Sequence, residues 1–237
     1  MSTAIVTGAS KGLGRALSEG LARRGWSLIV DGRDTALLEL ARGRLWKLIP
    51  PGSHVLAIQG DVTDPEHRRA LAGAAHALGG LDLLVCNAGV LGPSPLPSLA
   101  DFSVAALREL FEVYPVAALG LIQEVLPLLR AASDGGRVAL ISSDAAVEGY
   151  PGWGGYGAAK AAQDQLARVL AAEEPTLTVW AVDPGDMRTD MHQAAFPGED
   201  ISDRPLPEAV VPRMIELFES RQPSGRIRLA DIAEPPS

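Results

Sequence analysis

Short apolar runs and longer amphipathic stretches alternate along the whole chain. Seven runs have the length and β-branched content of strands: TAIVT, SLIVD, HVLAIQ, LDLLVC, RVALIS, LTVWAV and a late GRIRLA. Between them apolar residues recur at helical spacing, as at Leu13, Leu17 and Leu21. Strands that alternate with helices predict a parallel sheet with helical crossovers. The continuously apolar strands predict that both faces of this sheet are covered.

The pattern therefore predicts an α/β fold, a doubly wound parallel sheet with helices on both faces. Two helix ends are marked in the sequence. Gly25 is expected to close the first helix, and Asp64 followed by Pro65 is expected to begin a later one. No linker-like tract, charge block or repeat interrupts the 237 residues, so we predict a single domain over residues 1–237.

Composition argues against several classes of function. The formal net charge is -8 and no basic stripe is visible, so we expect no nucleic-acid partner. The lone Cys86 cannot form an internal disulfide, and its apolar neighbours predict burial. No apolar run reaches the length of a membrane span, because Gln123 and Glu124 interrupt the best candidate; we expect no membrane partner and a cytoplasmic location. Four histidines lack metal-ligand spacing, and we interpret them as surface or loop residues: His54, His67, His76 and His192.

A glycine-rich loop follows the first predicted strand. It reads TGASKGLG at residues 7–14 and contains Gly8, Gly12 and Gly14. The helix that follows directs its N-terminal N–H groups and the positive end of its dipole towards any anion held there. The alternative interpretation is a plain turn between a strand and a helix.

Tyr156 and Lys160 stand four residues apart in GYGAAKAA, so a helix places them on one face. A tyrosine hydroxyl ordinarily has a pKa of about 10, and a nearby ammonium lowers that pKa. An acid–base group works best when its pKa is close to the working pH. The alternative is a surface pair on an alanine-rich helix.

Taken together, these motifs resemble the short-chain dehydrogenase/reductase family. Further motifs of that family occur in the expected order: GDV at 60–62, NAG at 87–89, ISS at 141–143, the tyrosine–lysine pair, and DPGDMRT at 183–189. The resemblance extends over the whole chain. It implies a Rossmann-type fold and an NAD(P)-dependent oxidoreductase that interconverts a ketone or aldehyde and an alcohol by hydride transfer.

The resemblance also implies roles for individual residues. Tyr156 would exchange a proton with the substrate oxygen, Lys160 would lower the pKa of Tyr156 and hold the nicotinamide ribose, and Ser143 would hydrogen-bond the substrate oxygen. No metal is implied. The implied cofactor-binding residues are Gly8, Ser10, Lys11, Gly12, Leu13, Gly14, Arg33, Asp61, Val62, Asn87, Ala88, Gly89, Tyr156, Lys160, Pro184, Gly185 and Thr189.

The second strand bears on the choice of dinucleotide. Asp31 and Arg33 both stand at its end, and Lys11 lies in the glycine-rich loop. An acidic side chain at a strand end can bind the ribose hydroxyls of NAD, whereas arginine can pair with the 2′-phosphate of NADP. Arg33 occupies the family position that favours NADP, so we expect NADP(H) to be favoured over NAD(H).

One family position differs. Tyr114 stands where the family has a helix asparagine, and Pro115 follows it, which predicts a kink or bulge. In the family, that asparagine helps to hold a water that links Lys160 to solvent and so forms a proton relay. It does this chiefly through its main-chain carbonyl, which tyrosine retains. We therefore expect the proton relay to persist and Tyr114→Asn to leave activity within a few-fold or to raise it. The alternative is a non-catalytic NADP-binding sensor or partner protein.

The remaining expectations concern the substrate and assembly. Residues 187–206 are predicted to act as a lid over the site, or else to be a plain surface loop. Apolar residues in the loops near the site predict a mostly apolar pocket for a small molecule. The resemblance implies that this molecule is a carbonyl compound or an alcohol. The family and the alanine-rich helix imply a homodimer or homotetramer.

Overall fold

Seven parallel strands form one sheet in the computed structural model, which describes residues 2–220 and 222–232. The strands are β1 (Thr3–Val6), β2 (Ser27–Gly32), β3 (Val55–Gln59), β4 (Leu83–Cys86), β5 (Arg137–Ile141), β6 (Thr178–Asp183) and β7 (Gly225–Arg228). Each predicted apolar run matches one of them, although β2 and β6 extend one residue beyond the predicted runs. Their spatial order is β3-β2-β1-β4-β5-β6-β7. The order reverses between β1 and β4, and ligands of such sheets bind at the carboxyl ends of the strands beside this reversal.

Helices cover both faces of the sheet. Within the described residues they are α1 (Gly12–Arg23), α2 (Thr35–Leu45), α3 (Pro65–Ala77), α4 (Val104–Phe111), α5 (Ala117–Arg130), α6 (Gly154–Glu173), α7 (Asp190–Ala195) and α8 (Pro207–Glu219). Side chains of α1, α2 and α8 form one apolar core with alternate residues of β1, Ala4 and Val6. Ile5 of the same strand points to the other core, with side chains of α3, α5 and α6. The predicted Rossmann-type, single-domain fold is confirmed.

The predicted helix ends are also confirmed. Gly25 follows the last residues of α1 with a φ of 82°, the left-handed conformation that glycine adopts most readily after a helix. At α3 the Asp64 carboxylate accepts a hydrogen bond of 2.9 Å from the Glu66 N–H, and Pro65 is the first helical residue. Asp64 thus ends the loop that follows β3 at the carboxyl edge of the sheet, and Gly25 begins the connection to β2 at the opposite edge.

Pro115 produces a bulge rather than a break. Between α4 and α5 the chain forms one π-helical segment, Glu112–Val116, because proline has no N–H for the regular ladder. The bulge buries Tyr114, whose exposed fraction is 1%. The prediction of a kink or bulge is confirmed, and the bulge lies beside the cleft described below.

The helical stretch from α4 to α5 corrects one expectation. Val104–Arg130 spans 27 residues and is long and apolar enough to cross a membrane by length and composition, so the expectation that no run reaches that length is wrong. The structure also shows where its apolar residues lie. Leu121, Ile122 and Val125 are buried against the sheet, which is the packing of a core helix.

Candidate active site

A cavity of about 710 Å³ opens at the carboxyl ends of β1, β4 and β5. The structure brings all but one of the predicted site residues to its wall: Gly8, Ser10, Lys11, Gly12, Leu13, Arg33, Asp61, Val62, Asn87, Ala88, Gly89, Ser143, Tyr156, Lys160, Pro184, Gly185 and Thr189. The exception is Gly14, which is buried in α1. A Cβ there would lie 2.5 Å from the Gly8 carbonyl oxygen, so this glycine permits close packing of helix and loop.

The glycine-rich loop exposes backbone donors to the cavity. Gly8 and Gly12 have positive φ values of 66° and 57°. Helix α1 begins at Gly12 without a side-chain cap, so its first N–H groups have no side-chain acceptor. Asn87 braces the loop from β4, since its Nδ2 donates to the Thr7 carbonyl at 2.8 Å and to the Gly8 carbonyl at 3.3 Å. The result is a rigid, donor-rich end of the cavity.

A buried pair beneath this loop was missed by sequence analysis. Asp31 and His67 are 1% and 6% exposed, and His67 Nε2 lies 2.9 Å from Asp31 Oδ2. The other oxygen of Asp31 accepts a 2.6 Å hydrogen bond from the Gly8 N–H. The interpretation of His67 as a surface residue is wrong. Gly60 provides the room, because a Cβ there would overlap the imidazole.

Two cationic side chains stand at the opposite, open side of the loop. Lys11 and Arg33 are 60% and 67% exposed. Lys11 Nζ is 2.9 Å from the Asp190 carboxylate of α7, and Arg33 Nη1 is 3.8 Å from Asp61. Burial opposes ionisation of Asp61, but hydrogen bonds from Thr63 and the Arg33 guanidinium outweigh it and hold the pKa of Asp61 below its ordinary value.

Ser143, Tyr156 and Lys160 converge at the far end of the cavity, where β5 ends and α6 begins. Burial lowers the pKa of Lys160 to about 7, against the attraction of Asp164. The Lys160 ammonium donates to the Ile141 carbonyl at 2.5 Å, and its Nζ lies 5.7 Å from the Tyr156 ring centroid. These two residues therefore share a helix face, as predicted.

The expected direction of the Tyr156 pKa is wrong for this structure. Burial raises the pKa of Tyr156 well above its ordinary value, Asp144 and Asp183 raise it further, and a hydrogen bond with Ser143 opposes them. The Lys160 ammonium, which also donates to the Ile141 carbonyl, does not outweigh the burial of Tyr156. Tyr156 is thereby held as the protonated phenol, which is the form that can donate a proton.

Ser143 is fixed by its own neighbours. Its hydroxyl donates to Asp144 Oδ1 at 3.0 Å and accepts from the Ala145 N–H at 3.2 Å, which starts a short 3₁₀ turn, Asp144–Ala146. Because the turn holds the serine at the cavity wall, its hydroxyl faces the same space as Tyr156.

A second buried network, centred on Arg226 of β7, supports this end of the cavity. Its guanidinium donates to the Ser143 carbonyl at 2.9 Å, to Asp183 at 3.0 Å and to Asp164 at 3.2 Å. Arg226, Asp183 and Asp164 expose only 15%, 6% and 4% of their side chains. Sequence analysis missed this network; an arginine inside the predicted strand GRIRLA was the available signal.

Aromatic and apolar side chains enclose the cavity beside Tyr156. The Trp153 ring lies 5.5 Å from Tyr156 and 6.1 Å from Phe196, measured between centroids. His192, another histidine expected at the surface, keeps only 10% of its side chain exposed and lies 4.9 Å from Phe196. Helix α7 lies within the predicted lid, and several lid residues line the cavity: Met187, Arg188, Thr189, Asp190, Met191, His192 and Leu206. Among the described residues, no group of three or more His, Cys, Asp or Glu could hold a metal ion.

Comparisons with known proteins agree with this geometry. The short chain dehydrogenase family matches residues 2–200. A benzil reductase ((S)-benzoin forming) of Saccharomyces cerevisiae is 32% identical over 219 residues, which are 90% of this chain and 80% of that protein. The chain belongs to the short chain dehydrogenase family and is an oxidoreductase of that family.

Solved structures extend the comparison. A short chain dehydrogenase from Escherichia coli CFT073, complexed with NADPH, superposes with a TM-score of 0.86 at 28% identity and covers 96% of each chain. An alcohol dehydrogenase from the archaeon Thermococcus sibiricus, complexed with 5-hydroxy-NADP, has a TM-score of 0.85 at 25% identity over 100% of each chain.

Proposed function

We propose that this protein is an NADP(H)-dependent oxidoreductase that interconverts a ketone or aldehyde and an alcohol, with Tyr156 as the acid or base. The observation that carries the proposal is that Ser143, Tyr156 and Lys160 face one cavity with the glycine-rich loop. A carbonyl oxygen between the serine hydroxyl and the phenol would be polarised by two hydrogen bonds.

The glycine-rich end fits a dinucleotide diphosphate. The start of α1 has no side-chain cap, and a Cβ at Gly12 would meet nothing closer than Thr189 Cγ2 at 3.9 Å, so the backbone N–H groups stay accessible to an anion. When bound, NADP(H) supplies or accepts the hydride. Asn87, Ala88 and Gly89 border the cavity between this end and the catalytic residues.

The proposed preference for NADP(H) rests on two exposed cationic side chains and on Asp31, whose carboxylate already has hydrogen-bond partners. Arg33 and Lys11 both border the cavity and can pair with a 2′-phosphate. The Asp31 carboxylate is already bound to Gly8 and His67, so it is not free to accept from ribose hydroxyls. The alcohol dehydrogenase and the NADPH complex named above support the same preference by similarity.

The proton chemistry follows from the pKa directions. Tyr156 keeps its proton and donates it to the substrate oxygen as negative charge develops there. Ser143 donates a hydrogen bond to the same oxygen once its hydroxyl has turned away from Asp144. The Lys160 ammonium stabilises the phenolate left behind, because opposite charges attract strongly in a buried site.

The apolar, aromatic surroundings favour a ring-bearing carbonyl substrate. Trp153 and Phe196 flank the reacting tyrosine, and the yeast relative is named for the reduction of benzil, an aromatic diketone. A homodimer or homotetramer and a cytoplasmic location stay predictions.

Titration with NADPH and NADH, followed by a panel of aromatic and aliphatic ketones, tests the proposal. We expect NADPH to bind more tightly, and Arg33→Ala to weaken NADPH by about tenfold while leaving NADH within twofold, because one charge-assisted hydrogen bond is lost. Arg44→Ala is the matched control, since Arg44 is similarly exposed at 58% but does not line the cavity. Binding of neither dinucleotide would refute the function.

A further inference from the structure

Tyr114, which stands at the family's helix-asparagine position, lies beside Tyr156 at the catalytic end of the cavity. The π-helical segment turns it inward, and its ring lies edge-on to Tyr156 at 5.6 Å between centroids. It packs in a small apolar cluster with Leu110, Ala145, Tyr156 and Ala159. A tyrosine hydroxyl in such surroundings requires a polar partner.

The partner is the backbone of Val90, in the loop after β4. The Tyr114 hydroxyl donates to the Val90 carbonyl at 2.6 Å and accepts from the Val90 N–H at 3.0 Å. Gly89 makes this approach possible, because a Cβ there would lie 2.6 Å from the hydroxyl oxygen. One side chain thus satisfies both backbone groups of one residue in the loop that borders the cavity.

The face of the same ring meets Lys160. The ammonium lies 4.1 Å from the ring centroid, well inside the range of about 6 Å over which a cation is attracted by an aromatic face. Lys160 is buried, and its other polar contacts are the Ile141 carbonyl at 2.5 Å and Gln163 at 3.4 Å. The ring is therefore one of few groups that favour the charged form of this lysine.

We propose that Tyr114 is a positioning residue with two separable parts: its hydroxyl fixes the loop after β4 through Val90, and its ring holds the Lys160 ammonium beside Tyr156. The catalytic consequence rests on the proposed function. The proposal reverses the expectation that Tyr114→Asn is tolerated, since a short amide side chain supplies neither the ring face nor the reach to Val90.

The ring can be tested without substrate or dinucleotide. The chain contains only three lysines, Lys11, Lys47 and Lys160, so ¹³C labelling at the lysine Cε gives three NMR signals whose pH titrations are easily separated. Tyr114→Phe keeps the ring and should leave the Lys160 pKa unchanged. Tyr114→Leu removes the aromatic face without adding a polar group, and should lower the Lys160 pKa by about one unit.

The two exposed lysines serve as internal references in every variant. The other titratable groups near Lys160 are Asp164 and Tyr156, on the same helix α6, and Cys86 on β4, and none of the three is altered. A Lys160 pKa that is the same in Tyr114→Leu and the wild type would overturn the part of the proposal that concerns the ring.

The hydroxyl is tested by amide hydrogen exchange at Val90. Tyr114→Phe removes the acceptor of this N–H, so its exchange should become at least about fivefold faster while exchange in the core strand β5 stays unchanged. Unchanged Val90 exchange would overturn the part that concerns the hydroxyl. Because neither readout requires turnover, inactivity of the wild type would refute the proposed function alone.

Discussion

Two buried polar networks lie beneath opposite ends of the cleft, and they differ in which elements they hold. The Asp31–His67 pair lies under the glycine-rich loop and reaches it through one hydrogen bond to Gly8. The Arg226 network lies under the catalytic end and joins three separate elements to β7. The dinucleotide end is therefore shaped mainly by the backbone of the glycine-rich loop, which the Asp31 carboxylate holds in place. The catalytic end depends on side chains held by a permanent cation.

The largest effect is expected where a permanent charge is removed. Arg226→Met leaves Asp164 and Asp183 buried without their cation, so we expect the free energy of unfolding to fall by about 3–5 kcal/mol. Arg226→Lys keeps the charge but not the planar fork, and should lose less. Urea unfolding measures both variants. Equal stability of Arg226→Met and the wild type would show that the network does not hold the catalytic end.

A smaller effect, on the affinity for NADPH, is expected when the Asp31–His67 pair is altered. Asp31→Asn keeps the shape and an acceptor for Gly8 but weakens the charge-assisted hydrogen bond that holds the glycine-rich loop. We therefore expect NADPH binding to weaken by about 1 kcal/mol, or roughly fivefold. The KM for the carbonyl substrate should stay within twofold, because Asp31 does not reach the catalytic end. A change in that KM with unaltered NADPH affinity would contradict the division of the cleft into two ends.

A third effect is specific to the catalytic end and concerns the dependence of stability on pH. The pKa of Lys160 falls from an ordinary 10.5 to about 7 in the folded protein. Between these values the unfolded chain binds more protons, so the contribution of Lys160 makes the free energy of unfolding rise with pH across this window. Lys160→Met should flatten that rise, whereas Lys47→Met, at an exposed site, should not. Parallel curves for Lys160→Met and the wild type would mean that the lysine is not desolvated.

The distance along the chain between contacting residues explains which features the sequence could predict. Strands, helix ends and the glycine-rich loop are encoded by residues close together in the chain, and the sequence predicted the seven strands, the loop and the helix ends at Gly25 and Asp64. The pairs Asp31–His67 and Arg226–Ser143 are separated by 36 and 83 residues, and one sequence contains no distance information at that range. The spacing of Tyr156 and Lys160 predicted their shared face, but not the burial that raises the pKa of Tyr156.

Tyr114 shows the same limit at a single position. The sequence revealed that the family asparagine is replaced and that Pro115 would distort the helix. It could not show that the distortion turns the new ring onto Lys160 and its hydroxyl onto Val90, because both contacts depend on how the π-helical segment packs.

The most direct test of the account compares the wild type with Tyr156→Phe in NADPH-dependent reduction of benzil or another aromatic ketone. Phenylalanine keeps the ring contacts with Trp153 and Tyr114 and removes only the hydroxyl. We predict that Tyr156→Phe binds NADPH within twofold of the wild type and loses at least about a hundredfold in kcat, as expected for removal of the acid. Turnover by Tyr156→Phe at the wild-type rate would contradict the assignment of Tyr156 and, with it, the proposed mechanism.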